Sequence, residues 1–230
     1  GVYQPTSEVL PADEFPQFTS HGSVEYNTQG VDPFAPVEGT RYAGAVHADA
    51  SYMRLQKTID LTGATAADDY RNGPNSYGWV VEIDPFSVTS TPKKRTAMGR
   101  FAHEGAWVAK PAAGKPIVFY MGCDSRNEYI YKYVSTALWD PADATLGLAA
   151  GDKYLDAGKL YAAKFNADGT GQWVELTFGV GNVTAANAAY AFADQADVLI
   201  NARLAADAQG ATKMDRPEWG AVDPLTGDVY

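Results

Sequence analysis

Residues 159–176, KLYAAKFNADGTGQWVEL, decide the fold class of this chain. Two mostly apolar runs, residues 159–165 and 172–176, flank a polar stretch at residues 166–171. The Asp-Gly step and the later Gly of that stretch supply the positive φ values that a tight chain reversal needs. The segment therefore predicts two antiparallel β-strands joined by a turn.

Strand patterns recur along the chain at residues 79–83 (WVVEI), 116–122 (PIVFYMG) and 129–134 (YIYKYV). Short antiparallel strands separated by Gly and Pro turns are typical of β-sandwiches and β-propellers. The Asp84-Pro85 and Asp223-Pro224 turns each follow an aromatic-led apolar strand, and this repetition favours a propeller. We predict an all-β chain that is part of a β-propeller of two to three blades, with a helical insertion and long loops.

The helical insertion is predicted between about Asp194 and Gln209, and Gly210 is a natural C-terminal stop. The apolar residues at helical spacing there are Val198, Leu199, Ala202, Ala205 and Ala206. An Ala-rich stretch after Thr184 predicts a second, short helix.

Two domains are predicted from the change in composition along the chain. Residues 1–76 are rich in Pro, Gly, Ser, Thr and Asp, so we expect a loop-rich segment inserted in the propeller or leading into it. Residues 77–230 would form the partial propeller and carry part of its functional site. The chain opens at Gly1 and ends inside a predicted hairpin, so we expect an internal piece of a longer protein.

Charge and composition exclude several classes of partner. The chain has 18 basic and 28 acidic residues, a net charge of -10, which disfavours binding to nucleic acid. It lacks an apolar run of membrane length, so no membrane insertion is expected. The single cysteine, Cys123, rules out a disulfide within the chain.

Several catalytic motifs are missing from the sequence. No Gly-x-Ser-x-Gly elbow, Walker loop or His-Glu-x-x-His pattern is present, so serine hydrolases, P-loop enzymes and zincins lose support. The three histidines are His21, His47 and His103, and so small a number disfavours a zinc site built from histidines.

Two stretches offer potential metal ligands. In residues 99–106, GRFAHEGA, a His103-Glu104 pair lies among small residues, although an exposed pair on a turn explains this stretch equally simply. In residues 120–129, YMGCDSRNEY, Asp124 and Glu128 are hard oxygen donors of the kind that calcium and ferric iron prefer. Cys123 fits a small buried hydrophobic residue better than a ligand.

A third stretch, residues 213–219 (KMDRPEW), combines a cation with carboxylates. Arg216 and Glu218 are two apart, so an extended backbone, favoured by Pro217, would place both on one face and Asp215 on the other. A guanidinium fork there could bind phosphate beside a carboxylate that holds a metal ion. A surface ion pair would use the same residues.

These stretches occur in the same order as in the PhoX-type bacterial alkaline phosphatases, which the chain resembles over about residues 77–230. Residues 77–85 (YGWVVEIDP) and 162–171 (AAKFNADGTG) carry further matches. The resemblance implies a monomeric β-propeller that hydrolyses phosphate monoesters with calcium and iron as cofactors. It also implies export to the periplasm or beyond by the twin-arginine route.

By resemblance, Arg216 is the catalytic residue and grips the substrate's phosphate, Glu104 and Glu218 are metal ligands, and Asp124 is a further ligand. Asp215 would lie outside the ligand shell. Bound cations would also explain how an acidic protein attracts an anionic substrate. Family members commonly have an acidic residue where Cys123 stands, so the resemblance assigns no role to that position. The family's iron-binding cysteine and other acidic ligands lie upstream of the matching residues, and its last blades lie beyond Tyr230, so this chain alone is expected to be inactive.

Two other functions remain open from the residues alone. A calcium-dependent propeller lactonase would use similar acidic residues with less need of Arg216. A propeller that serves as a non-enzymatic binding scaffold would need none of these carboxylates for metal binding.

Overall fold

The computed structural model describes residue 75 and residues 77–230 of the chain. The strands in this part of the chain are β1 Val81–Glu82, β2 Lys93–Lys94, β3 His103–Val108, β4 Pro116–Cys123, β5 Arg126–Glu128, β6 Ile130–Leu138, β7 Gly158–Phe165, β8 Gly171–Glu175 and β9 Met214–Asp215. The helices are α1 Leu148–Leu155, α2 Gln195–Ile200 and α3 Ala202–Gln209, with 3-10 turns at Thr96–Met98 and Pro141–Thr145. Residues 1–74 and 76 lie outside the described residues, and so does the predicted loop-rich domain.

The principal sheet is five-stranded and antiparallel, in the order β3-β4-β6-β7-β8. Its β7–β8 pair confirms the predicted hairpin, with Phe165 opposite Gly171. Inside the turn the Asn166 amide donates to the Thr170 carbonyl at 2.8 Å. Gly169 has φ 84°, the left-handed conformation that the Asp-Gly step was expected to supply.

The other strand predictions are confirmed to different extents. β4 covers the predicted strand at residues 116–122, and β6 covers the predicted strand at residues 129–134 except Tyr129. The predicted strand at residues 79–83 is shortened to β1, which pairs with β2 in a two-stranded sheet. β5 and β9 form a further two-stranded sheet that joins residues distant in sequence.

The core lies on one face of the principal sheet. Alternate residues of β6, Tyr131 and Tyr133, are fully buried, as period-2 side-chain alternation requires. Small residues on α3 let this helix pack closely on the same cluster. The fully buried members of the cluster include Met98, Cys123, Tyr129, Ala162, Leu176, Val198, Ala202, Ala205 and Ala206.

The helical insertion is confirmed, with one interruption. α2 begins after Asp194, whose carboxylate accepts from the Asp197 amide at 2.8 Å, and a break at Asn201 separates α2 from α3. α3 ends at Gly210 in the left-handed conformation, as predicted. The predicted short helix after Thr184 is wrong, because residues 184–189 form turns and bends and residues 190–193 are irregular. Asn187 there accepts from the Ala189 amide and so stabilises a turn locally.

The last residues form the predicted reversal. Val222 and Val229 make a single antiparallel bridge, and the Ala221 and Tyr230 backbones exchange two hydrogen bonds of 2.9 Å. The Asp223 carboxylate accepts from the Leu225 amide at 2.6 Å, which fixes the Asp-Pro turn.

The described residues are therefore mostly β-sheet with few helices, in agreement with the predicted β class. Within residues 77–230 the longest helices, α1 and α3, have eight residues each, and none is long and apolar enough to cross a membrane.

Candidate functional site

The candidate site begins where β4 ends. Asp124 follows the last residue of this strand, and its amide donates to the Ala102 carbonyl at 2.9 Å. Its carboxylate is only 5% exposed and accepts twice from one guanidinium. Arg216 Nε donates to Oδ1 at 2.9 Å and Nη2 donates to Oδ2 at 3.3 Å. This two-point contact fixes both the position and the plane of the Arg216 side chain.

Arg216 reaches Asp124 because β5 and β9 pair. Asp215 lies opposite Arg126 in this two-stranded sheet, and the Arg216 amide donates to the Ser125 carbonyl at 3.2 Å. Arg216 has φ 58°, so the predicted extended backbone is wrong at this residue. A left-handed non-glycine residue costs about 1–3 kcal/mol and persists where the surrounding contacts hold it.

Glu218 nevertheless meets Arg216, as predicted. Arg216 Nη2 lies 2.7 Å from Glu218 Oε1, and the two side chains are 37% and 39% exposed. The hydrogen bond to Asp124, followed by the charges of Asp124 and Glu218, raises the pKa of Arg216 above its ordinary value. The guanidinium is thus a permanent cation that one buried and one half-exposed carboxylate neutralise.

The segment that carries Glu218 rests directly on the principal sheet. A side chain at Gly122 of β4 would collide with the Pro217 carbonyl oxygen and come within 2.9 Å of the Glu218 carbonyl oxygen. Further along, Trp219 packs against Trp107 of β3 with ring centroids 6.4 Å apart. The missing side chain at Gly122 therefore permits the close approach that places Glu218 over β4.

His103 and Glu104 have different environments. His103 begins β3, is buried, stacks on Phe101 at 3.6 Å, and its Nε2 lies 2.9 Å from the Gly99 carbonyl oxygen. Burial lowers the pKa of His103 to about 4, so its imidazole is neutral at neutral pH. The simple interpretation of an exposed pair on a turn is thus wrong for His103, whereas Glu104 is exposed, in a bulge between His103 and Gly105.

Three of the four predicted site residues, Arg216, Asp124 and Glu218, are brought together by the fold. No hydrogen bond or ion pair links Glu104 to them, although the bulge that carries Glu104 adjoins Cys123 and Gly122 of β4. Among residues 75 and 77–230, no three His, Cys, Asp or Glu side chains are arranged to hold a metal ion.

The remaining candidates have structural environments. Glu128 is completely buried, and its Oε1 lies 2.5 Å from Arg203 Nη2 of α3, so it pairs with an arginine inside the core. Cys123 is completely buried in the hydrophobic cluster, as expected. Asp215 is 82% exposed and lies 4.0 Å from Arg126, also exposed.

Sequence reasoning did not identify Arg203 as the partner of Glu128. A single arginine among the alanines of α3 was the available signal, because a charge on the buried face of a helix needs a counter-charge.

Comparisons with known proteins identify the family. The sequence profile of the alkaline phosphatase PhoX family matches residues 22–230. One similar solved structure is that of Pseudomonas fluorescens PhoX in complex with vanadate, a transition state analogue. It is 42% identical, with a TM-score of 0.62 over 80% of this chain. The present chain spans 33% of that protein's chain. The comparison with curated proteins gives no significant match. This chain belongs to the PhoX family of alkaline phosphatases.

Proposed function

We propose that this chain carries the phosphate-binding arginine of an enzyme that hydrolyses phosphate monoesters. The single observation that carries the proposal is the Arg216 guanidinium, held by the buried Asp124 carboxylate yet 37% exposed, in a chain of the PhoX family. A planar guanidinium suits the tetrahedral oxygens of a phosphoryl group, because it can donate two parallel hydrogen bonds.

Arg216 would act by stabilising charge on the phosphoryl group during attack at phosphorus. A donor fixed in advance stabilises a developing charge without reorganising during the reaction. The Pseudomonas fluorescens relative supports the proposed attack at phosphorus, because vanadate bound to that protein is a transition state analogue.

Calcium and iron are the proposed cofactors, with Glu104 and Glu218 as ligands. The Glu104 carboxylate is exposed and the Glu218 carboxylate is half-exposed, and carboxylate oxygens are the donors that hard cations prefer. The described residues do not bring three such ligands together. Further ligands would have to come from outside the described residues. A bound cation would polarise the phosphate oxygens. Asp124 is predicted by resemblance as a further ligand, but its contacts with Arg216 support another role.

Other proposed properties follow from the family. The antiparallel sheet and the closing hairpin are compatible with part of a β-propeller of two to three blades in residues 77–230. The enzyme is proposed to be a monomer that acts on phosphomonoesters in the periplasm or outside the cell.

Arg216→Ala tests the proposal, with Arg126→Ala as the control because Arg126 is 84% exposed and makes only a loose 4.0 Å contact with Asp215. Vanadate binding is measured with calcium and iron supplied, since this chain alone is expected to be inactive in hydrolysis. We expect Arg216→Ala to weaken vanadate binding by about 10²- to 10³-fold, as for removal of one transition-state donor. Retained binding in this variant would reject the role of Arg216.

Two further outcomes separate the other candidate functions. Hydrolysis of a lactone without binding of vanadate would support the lactonase function. A chain that takes up neither metal ion and binds no vanadate would support a binding scaffold instead.

A further inference from the structure

The Asp124 carboxylate makes the side-chain contact that positions Arg216. Both of its carboxylate oxygens accept from the guanidinium, at 2.9 Å from Nε and 3.3 Å from Nη2. The carboxylate is 5% exposed, whereas the guanidinium it grips is 37% exposed. The carboxylate of this ion pair is thus buried in the protein, and the guanidinium is partly exposed to solvent.

The backbone around Asp124 is also fixed. The Asp124 amide donates to the Ala102 carbonyl at 2.9 Å, and the Ser125 amide donates to the Cys123 carbonyl at 2.7 Å. The Ser125 carbonyl in turn accepts from the Arg216 amide at 3.2 Å. Asp124 and Arg216 are therefore joined through both backbone and side chain, which keeps the left-handed Arg216 in place.

A metal ion at Asp124 would have to compete with these contacts. Each oxygen already accepts a charge-assisted hydrogen bond, the strong kind, and a cation at the same oxygens would repel the guanidinium. Glu218 differs, because one of its oxygens contacts Arg216 and the side chain is 39% exposed. The two carboxylates around Arg216 are therefore suited to different tasks.

We propose that Asp124 is a positioning residue, not a metal ligand: it orients the Arg216 guanidinium to receive the phosphoryl group of the substrate. The inference rests on the proposed function for the identity of the anion. The orientation of Arg216 by Asp124 is a separate claim about side chains and can be measured without substrate.

Asp124→Asn is the test variant, because it keeps the shape of the side chain and removes the charge and one acceptor. Asp215→Asn is the matched control, since Asp215 precedes Arg216 in the chain but is 82% exposed. Arg216→Lys keeps the cation and loses the fork. The combination Asp124→Asn with Arg216→Lys completes a double-mutant cycle.

The first measurement is the hydrogen exchange of the Arg216 Nε–H, followed by NMR and assigned by its loss in Arg216→Lys. We expect a protected signal in the wild-type chain and in Asp215→Asn, and faster exchange in Asp124→Asn, because its one remaining acceptor oxygen is neutral and forms a weaker hydrogen bond than a carboxylate does. Equal protection in Asp124→Asn would overturn the proposal whatever the chain binds.

The second measurement is vanadate affinity together with metal content by elemental analysis. We expect Asp124→Asn to weaken vanadate binding by about 10- to 100-fold, the scale of a misplaced catalytic group, with unchanged metal content. In the Arg216→Lys background the same change should have little further effect. Loss of calcium or iron in Asp124→Asn would identify Asp124 as a ligand and overturn the proposal.

These two measurements separate the inference from the function on which it rests. A wild-type chain that binds no vanadate rejects the proposed phosphatase site, and the exchange of Nε–H still decides whether Asp124 positions Arg216.

Discussion

Two arginines of this chain, Arg95 and Arg216, each bind carboxylates, but they are buried in opposite ways. The Arg95 side chain is 1% exposed and its carboxylate partners are between 28% and 50% exposed. The Arg216 side chain is 37% exposed and its principal partner, Asp124, is 5% exposed. In one case acids surround a cation, and in the other a buried acid presents a cation to solvent.

The Arg95 cluster joins separate elements of the fold. The guanidinium contacts Glu82 of β1, donates to Asp152 of α1 and to Asp156 at 2.9 Å each, and donates to the Leu148 carbonyl at 3.1 Å. These contacts occupy its donors with protein oxygens, so little of the cation can reach a ligand. The cluster is therefore structural, and it attaches α1 to the short β1–β2 sheet.

The difference shows that a structural ion pair and a candidate binding site can be told apart by which partner is buried. In the structural cluster the arginine is buried, and in the candidate site its carboxylate partner is buried. Both clusters contain an arginine and at least two carboxylates, and a sequence pattern cannot tell them apart. Of these two arginines, Arg216 is the one whose guanidinium is partly exposed, and the buried Asp124 carboxylate fixes its orientation.

Arg95→Met and Arg216→Met test most directly whether the two arginines have different roles. We expect Arg95→Met to lower the free energy of unfolding by about 3 kcal/mol, because it leaves several carboxylates without their buried counter-charge. The value lies at the low end of the usual range, since those carboxylates are partly hydrated. Arg216→Met should lower the free energy of unfolding less than Arg95→Met, because it leaves one buried carboxylate, Asp124, without its counter-charge while the half-exposed Glu218 stays hydrated.

Urea unfolding followed by circular dichroism measures both variants. Equal losses of stability would show that Arg216 is as structural as Arg95 and would weaken the case for a binding site.

Gly122→Ala should displace the segment that carries Glu218 without changing any charge of the Arg216 site. The added methyl group would meet the Pro217 and Glu218 carbonyl oxygens, which are backbone atoms and cannot rotate away. We expect a loss of about 1–3 kcal/mol in unfolding free energy, the usual cost of overpacking, and weaker vanadate binding.

Gly171→Ala is the control for Gly122→Ala. Gly171 also lies in a strand, but a side chain there would approach the Lys164 carbonyl oxygen no closer than 3.1 Å. A smaller loss of stability and unchanged vanadate binding are expected for this control. Unchanged vanadate binding in Gly122→Ala would show that the site does not depend on the close approach over β4.

The strands with a clear pattern could be predicted from the sequence, and those formed by pairing could not. The β7–β8 hairpin follows from its two mostly apolar runs and its Asp-Gly turn. β3 was missed because its first four residues, His-Glu-Gly-Ala, have weak strand preference, and its pairing with β4 makes it a strand. α1 was missed because its sequence contains a Gly, which is unfavourable in a helix, at residue 151.

The candidate site was predicted in part. The spacing of Arg216 and Glu218 indicated that they would meet, and they do, but the left-handed φ of Arg216 comes from its contacts with residues 124–126. The pairing of Asp124 with Arg216 spans 92 positions, and no local pattern reveals it. Long-range partners thus decide which oxygen donors remain open to a metal ion.

The Arg95 cluster should also make a small contribution to the pH dependence of stability. Hydrogen bonds from Lys93, then from Arg95, hold the pKa of Asp152 below its ordinary value. A carboxyl whose pKa is lower in the folded state stabilises the fold above its unfolded pKa, about 3.9, and loses that contribution as the pH falls further. Asp152→Asn should therefore lower the melting temperature slightly at pH 7 and make it less dependent on pH below 4.

Melting temperatures between pH 2 and pH 7 measure this effect, with Asp215→Asn as the control because the Asp215 side chain is 82% exposed and lies 4.0 Å from Arg126. Wild type and Asp152→Asn should converge in acid, because protonation of Asp152 removes the same charge that the substitution removes. Parallel curves down to pH 2 would mean that the contacts of Asp152 with Lys93 and Arg95 do not depend on its charge. The comparison of the two clusters would then rest on the burial of Arg95 alone, since the acids around it would contribute shape and hydrogen bonding but no electrostatic stabilisation.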